Sequence, residues 1–382
     1  MKKLIYLFLF VYLFSLSWDG YLLLSTSIPF SISFLALGLL TCIFLVHSLI
    51  ERRKIRVSKL LSPIFALLIY MFISILWSHN QTSIFSYFTI LSYFITVFII
   101  FNLVLINKIK ISVITGYFLG VMSVGVYTYF TSELTLSRFS ITEGFNPTWF
   151  AAQIIWAIII SMYFIQSSKP LLKIALLLSD VFLVFLLLLT GGRNALIALV
   201  LGIIISTFYI YKKHIGLLIK YLVLISVLGL SAYYVIDYTI GTEVLGRIAD
   251  IQLLFTGDSN QATAGRTTIW NNYLNAIDSY LIFGSGFHSS YTIMGISAHN
   301  VFLTVLFEFG FIGLSIFMIF MFKILRSSLV ILKKFHYTLF TLSLALFFLG
   351  FGNDTLYYKY WWTGIVLFFI IYAVSSREQQ TG

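Results

Sequence analysis

Charge is what this chain has least of. Only 10% of its 382 residues are charged, with 13 acidic side chains against 24 Lys and Arg, while 60% are hydrophobic and 18% aromatic. That balance excludes an ordinary soluble domain and marks a polytopic membrane protein. Cysteine occurs once, at Cys42, so neither a disulfide framework nor a cysteine metal site can be built. Of the six histidines, the three expected to face outward, His79, His288 and His299, show no His-x3-His spacing and no carboxylate clustering, which argues against a metal centre. No internal repeat, low-complexity tract or nucleophile-elbow pattern is present. Lys2 and Lys3 precede an apolar stretch, but no small-residue cleavage site follows, so this stretch reads as an uncleaved first helix.

What is abundant is hydrocarbon. Runs long enough for a bilayer lie near 3–24, 28–50, 60–77, 84–105, 111–130, 148–166, 172–190, 194–211, 217–236, 301–322, 337–352 and 360–376. Backbone in lipid must satisfy its own hydrogen bonds, so the expected fold is all-α with about twelve transmembrane helices. Asp19 and Gly20 interrupt the first run, and Thr190-Gly191-Gly192-Arg193 makes a tight turn between the seventh and eighth. Of the 24 Lys and Arg, 19 fall in loops on one side, and five (Arg138, Arg193, Arg247, Arg266 and Lys359) fall on the other. The basic side is expected to be cytoplasmic, with both termini there. The net charge of +11 is then an orientation signal spread over loops, which excludes a nucleic-acid partner.

Three regions are expected: 1–236 with helices one to nine, an outward loop at 237–300, and 301–382 with the last three helices and a short tail. Loops as long as 131–148 and 237–300 are usually functional. Within the second, 243–255 and 267–283 carry apolar residues at helical spacing and read as amphipathic helices. Gly257-Asp258-Ser259-Asn260 between them reads as a turn.

An outward cation is the exception in such a chain, so Arg138, Arg193 and Arg266, with His299, are where function should be sought. Arg193 reads either as a snorkelling anchor or as an anion ligand beside free amides at a helix start. Arg266 opens a helix, where the dipole opposes a cation. Either an external anion or a salt bridge to Asp250 or Asp258 accounts for it. His299 is either structural or a general base. The Gly284-Ser285-Gly286 turn reads as flexible. Asp180 and Glu308 lie within helices, where carboxylates are functional candidates, and they support a transporter reading.

Taken in order, these segments resemble the O-antigen ligase/polymerase family. The resemblance rests on Arg193-Asn194-Ala195 after Thr-Gly-Gly, Gly265-Arg266-Thr267-x-x-Trp270, Gly284-x-Gly286, and Ala298-His299-Asn300-x-x-Leu303 followed by Glu308-x-Gly310-x-x-Gly313. Arg138 with Asn146-Pro147 resembles a further element, departing from it at Thr148. The resemblance implies a bacterial membrane glycosyltransferase with an undecaprenyl-diphosphate-linked oligosaccharide as donor. It implies that Arg193 and Arg266, with Arg138, bind the diphosphate and that His299 is the base. Asp354, Asn300 and Asn146 are weaker candidates. No metal and no cofactor are called for, since guanidiniums can neutralise the leaving diphosphate.

Two functions share that chemistry. A polymerase moves the growing glycan onto the next lipid-linked repeat unit, with a chain-length regulator as a further partner. A ligase moves the finished glycan onto lipid A-core. The polymerase is preferred, the ligase is the alternative, and a lipid-linked glycan transporter is the third reading. In the first two, the enzyme lies in the bacterial inner membrane, in contact with membrane lipid, with its site on the outer face.

Overall fold

The computed structural model describes residues 2–25, 31–50, 55–80, 82–131, 139–142, 145–211, 216, 219, 223, 263, 265–331 and 333–381. Among them all regular structure is helical. The helices are α1 (Lys2–Ser25), α2 (Ile32–Ile50), α3 (Ser62–Ser74), α4 (Ser83–Ile106), α5 (Thr115–Thr131), α6 (Pro147–Ser167), α7 (Pro170–Leu189) and α8 (Arg193–Tyr211). After them come α9 (Arg266–Ala276), α10 (Ser290–Met294), α11 (Val301–Val330), α12 (Lys333–Leu349) and α13 (Lys359–Thr381).

Nine of the described helices are long and apolar enough to cross a membrane, and the α2 and α3 segments are shorter apolar helices. The chain is a multi-pass membrane protein. The expectation of twelve spans therefore stands at nine long and two short helices among the described residues. The expected span at 217–236, apart from residues 219 and 223, the helix at 243–255 and the turn at 257–260 lie outside them.

Helix starts follow from local chemistry. Proline at N1 opens α6 and α7, where its missing N–H costs no hydrogen bond. The Asn146 side chain caps α6 by accepting from the Thr148 N–H at 2.9 Å. Asp19 does not interrupt α1, because its carboxylate is paired with Lys359 at the start of α13 and accepts from Ser33. A buried charge is tolerable only when partnered in this way.

Side-chain contacts fix the helix directions. Tyr6 meets Ser112 at 3.1 Å and Trp18 meets Ser123 at 2.9 Å, so α1 and the segment leading through α5 run parallel. Asn194 meets Leu349 at 2.8 Å and Thr207 meets Tyr337 at 2.9 Å, so α8 and α12 run antiparallel. The α6 and α13 spans are each 78% buried against 22% for α7, which places α6 and α13 at the centre and α7 at the rim. Trp156 and Trp361 are fully buried in that centre, whereas Leu171 and Leu178 of α7 are exposed, as lipid contact requires.

One helix is broken. Gly310 inside α11 has φ 62° and ψ −166°, a conformation essentially closed to other residues. The groups freed by the break are taken up by the segment before α10. Ser285 N–H donates to Phe307 O (2.9 Å), Gly286 N–H to Glu308 O (3.0 Å), and Phe311 N–H to Leu281 O (2.9 Å). Satisfying those groups is obligatory for buried backbone. It also ends the expected helix 267–283 early. The chain is α-helical only over Arg266–Ala276, with a 3-10 turn at Ile277–Tyr280, because Leu281 and Ile282 must turn their carbonyls toward α11.

Candidate active site

The site is built around Asp354, in the loop joining α12 to α13. Its carboxylate is buried and accepts from four donors. Oδ2 takes the Ser297 hydroxyl and the His299 N–H (3.1 Å), and Oδ1 takes the Asn300 N–H (3.1 Å) and the Thr304 hydroxyl (2.5 Å). Asn300 caps α11, its side-chain oxygen accepting from Phe302 N–H (3.0 Å) and Leu303 N–H (3.2 Å). His299 sits between these anchors with φ +51°, a conformation uncommon for residues other than glycine. The strain persists because the flanking amides are held, which fixes the direction of the imidazole.

Helix α9 is docked onto the same loop. Trp270 Nε1–H donates to Ala298 O (2.9 Å) and Tyr273 OH to Ile296 O (2.7 Å). Tyr273, Ile277, Ala298, Leu303 and Phe307 close an apolar cluster beneath. The docking brings the Arg266 charge to bear on His299. Burial first, and then the Arg266 guanidinium, hold the imidazole pKa below its ordinary value of 6.5, while Asp354 pulls the other way. The ring is therefore neutral near neutral pH, as a proton acceptor must be.

The Arg193 turn reaches the same loop from the other side. Thr190 Oγ1 accepts from Gly192 N–H at 3.1 Å and shapes the turn. Asn194 Nδ2 donates to Leu349 O at 2.8 Å, just before the stretch that leads to Asp354. Phe139 N–H donates to Leu189 O at 3.1 Å, which ties the residue after Arg138 to the base of the turn. Arg138 itself lies outside the described residues, as do Arg247, Asp250 and Asp258. The Asn146-Pro147 element joins through aromatic contacts. Trp149 lies 5.2 Å from Tyr358 and is stacked at 5.4 Å on Tyr360.

The structure thus sets Arg266, His299, Asn300 and Asp354 about one loop, and places Arg193 and Asn146 at helix starts whose neighbours Asn194 and Trp149 reach the α12–α13 connection. Asn300 and Asn146 are helix caps there. Asp354, among the weaker candidates in the sequence, holds the centre. Ser297 and Thr304 escaped sequence reasoning, because only the fold shows that a loop 50 or more residues later supplies their acceptor.

Glu308 belongs to a second structural cluster. It accepts from His288 N–H (3.1 Å), Ser290 N–H (3.3 Å), Ser290 Oγ–H (2.6 Å) and Tyr357 OH. Tyr357 is held far above the usual phenol range, chiefly by burial and then by Glu308. The hydroxyl therefore stays protonated as the donor. Gly284-Ser285-Gly286, expected to be a flexible turn, is packed against this cluster. A Cβ on Gly284 would collide with Glu308 O. Asp180 accepts from Ser161 Oγ–H at 2.5–2.6 Å. Both intramembrane acids are thus bonded to neighbouring groups. Among the described residues no group of three or more His, Cys, Asp or Glu is placed to hold a metal ion.

Residues 178–318 match the sequence model of a family described as O-Antigen ligase. The match agrees with the resemblance read from the sequence. It contains Arg193, Arg266, His299 and the break at Gly310, and it stops short of Asp354. No curated protein matches the chain.

Proposed function

From a match to the O-Antigen ligase family that contains both arginines and the histidine, we propose that this protein is a membrane glycosyltransferase acting on lipid-diphosphate-linked glycans. In this reading it polymerises a bacterial surface polysaccharide at the outer face of the inner membrane, with both termini cytoplasmic. The donor is a growing glycan on undecaprenyl diphosphate, and the acceptor is the next lipid-linked repeat unit. The acceptor hydroxyl oxygen bonds to the anomeric carbon as its proton passes to His299 Nε2 or Nδ1. The anomeric carbon–oxygen bond breaks, and undecaprenyl diphosphate departs with the electron pair. Arg193 and Arg266, with Arg138, neutralise the charge growing on the diphosphate, so no metal is required. The 237–300 region covers the sugars, and the lipid lies between helices.

The observation that carries this reading is the clamp of Asp354 on the amides of His299 and Asn300, with Arg266 acting on the same imidazole. It gives a base that is oriented and neutral, beside a cation suited to a diphosphate.

The test is turnover by purified protein supplied with lipid-linked repeat units alone, with and without a chelator. A ladder of longer lipid-linked chains, unaffected by chelation, is expected. His299→Ala should lower turnover by about 10²–10⁴, the usual worth of a positioned base, while donor binding is kept. Arg193→Lys and Arg266→Lys should rescue poorly, because an ammonium cannot make the planar bidentate contact. Product only when lipid A-core is added would make the protein a ligase. Full activity of His299→Ala would overturn the mechanism.

A further inference from the structure

At the opposite end of the bundle the turn before α3, the later turns of α11 and the end of α13 border an open cavity of about 380 Å³. That volume lies within the range of ligand pockets, ~300–1,000 Å³. Lys59, Lys323 and Arg326 line it together with Leu60, Ile331 and Tyr372. No carboxylate is among its described lining residues. Glu378, on the α13 turn that borders the cavity, is not among those lining residues, and its charge acts on Tyr163 of α6. Three like charges around one space repel one another in the absence of a counter-anion.

Lys59 and Arg326 are exposed, and Lys323 is half-buried. Lys323 Nζ donates to Lys59 O (3.4 Å) and to Ser62 Oγ (3.3 Å), which holds its ammonium across the α3–α11 gap at the cavity wall. Cationic groups over an apolar wall suit an anion with a hydrocarbon attachment. We propose that this cavity binds the phosphate headgroup of an anionic phospholipid, its acyl chains running along Leu60 and Ile331. Basic pockets between transmembrane helices recognise phosphate headgroups in this way. The site is remote from the His299 end and independent of the glycosyl-transfer reading. Its occupant joins α11 and α13, whose other ends adjoin the His299 and Asp354 loops.

The experiment is thermal unfolding of the full-length protein in a neutral detergent, titrated with phosphatidylglycerol, phosphatidylcholine or inorganic phosphate. Phosphatidylglycerol should raise the unfolding temperature with the logarithm of its concentration, and added salt should weaken the effect. Arg326→Gln and Lys59→Gln should each weaken binding roughly fivefold, the worth of one Lys or Arg at an anionic surface. Arg326→Lys should retain it. Lys110→Gln, which removes an exposed loop charge outside the cavity, should change nothing. Equal stabilisation by phosphatidylcholine, or equal loss in Lys110→Gln, would overturn a specific site. The same protection from inorganic phosphate alone would overturn the lipid as occupant and leave a free-phosphate site. Undiminished binding in the Arg326 and Lys59 variants would overturn the proposal outright.

Discussion

Asp354 and His299 are joined through the backbone: the carboxylate accepts the histidine's own N–H at 3.1 Å, so it fixes where the imidazole stands. The charge that acts most on the ring's titration, after burial, comes from Arg266 instead. Orientation and protonation state are therefore set by two different residues, and each can be perturbed separately.

For protonation, His299 should titrate below 6.5, because burial and Arg266 both disfavour the imidazolium. The neutral ring is the active form, so the rate should hold through neutral pH and fall only as pH drops through that lowered pKa. Arg266→Gln removes a positive charge, makes protonation easier, and should shift the titration to higher pH. Imidazole NMR on labelled protein reads this even where turnover is lost. An unmoved or lowered pKa would refute the coupling.

For orientation, Asp354→Asn should hurt more than its size suggests. An amide presents one acceptor oxygen and one donor nitrogen to four donors. Loss of hydrogen bonds to a charged acceptor costs on the order of 1.5–3 kcal/mol each at most, with some recovered by rearrangement. A lowered unfolding temperature together with near-complete loss of turnover is expected. Thr304→Val, which removes one donor, should show a much smaller effect on both. Wild-type turnover in Asp354→Asn would show that the clamp does not matter.

The helix break gives a sharper stability test. Gly310→Ala places a Cβ in collision with Ile282 O at φ 62°. Strain of this kind costs about 1–3 kcal/mol before the collision is counted. Gly310→Ala should reach the membrane at sharply reduced levels or unfold many degrees lower. Gly38→Ala, where an added Cβ meets nothing within 4 Å, is the matched control.

The Asp19–Lys359 pair should behave as a coupled unit. Lys359→Met leaves Asp19 buried without its counter-charge and should destabilise strongly. Asp19→Leu combined with Lys359→Met should recover much of that loss. A double-mutant cycle on unfolding temperature measures it, and additive losses would mean that the two charges do not depend on each other.

Orientation can be read with reporter fusions. Those after Arg138, Asp258 and Asp354 should report the outside, and those after Arg53, Lys110, Lys213 and Arg377 the cytoplasm. A cytoplasmic signal from Asp258 would separate the 237–300 region from the face assigned to the transfer.

The helices were legible because lipid imposes one rule on every residue, and hydrophobic length alone obeys it. Arg193, Arg266 and His299 were legible as polar exceptions in short ordered motifs. Asp354 was barely so. A single carboxylate in a loop gives no local pattern, and its four donors lie 50 to 57 residues earlier. Glu308 was legible only as an acid in a hydrophobic run. That Tyr357 and the amides of His288 and Ser290 close around it is a product of the fold. The ion pair of Asp19 with Lys359 spans nearly the whole chain, and no spacing rule reaches so far.

The break at Gly310 also sets a depth. Only the 12 helical residues 311–322 separate it from Lys323, the first charge that follows. At about 1.5 Å per residue they cover roughly 18 Å, well short of the roughly 30 Å hydrocarbon slab. The break then falls inside the slab, and the stretch from Leu281 to Gly286 that pairs with it enters with it. Such a re-entrant stretch is tolerated because its backbone is satisfied by protein, so the glycine at the break lets non-helical chain reach into the membrane beneath the His299 loop.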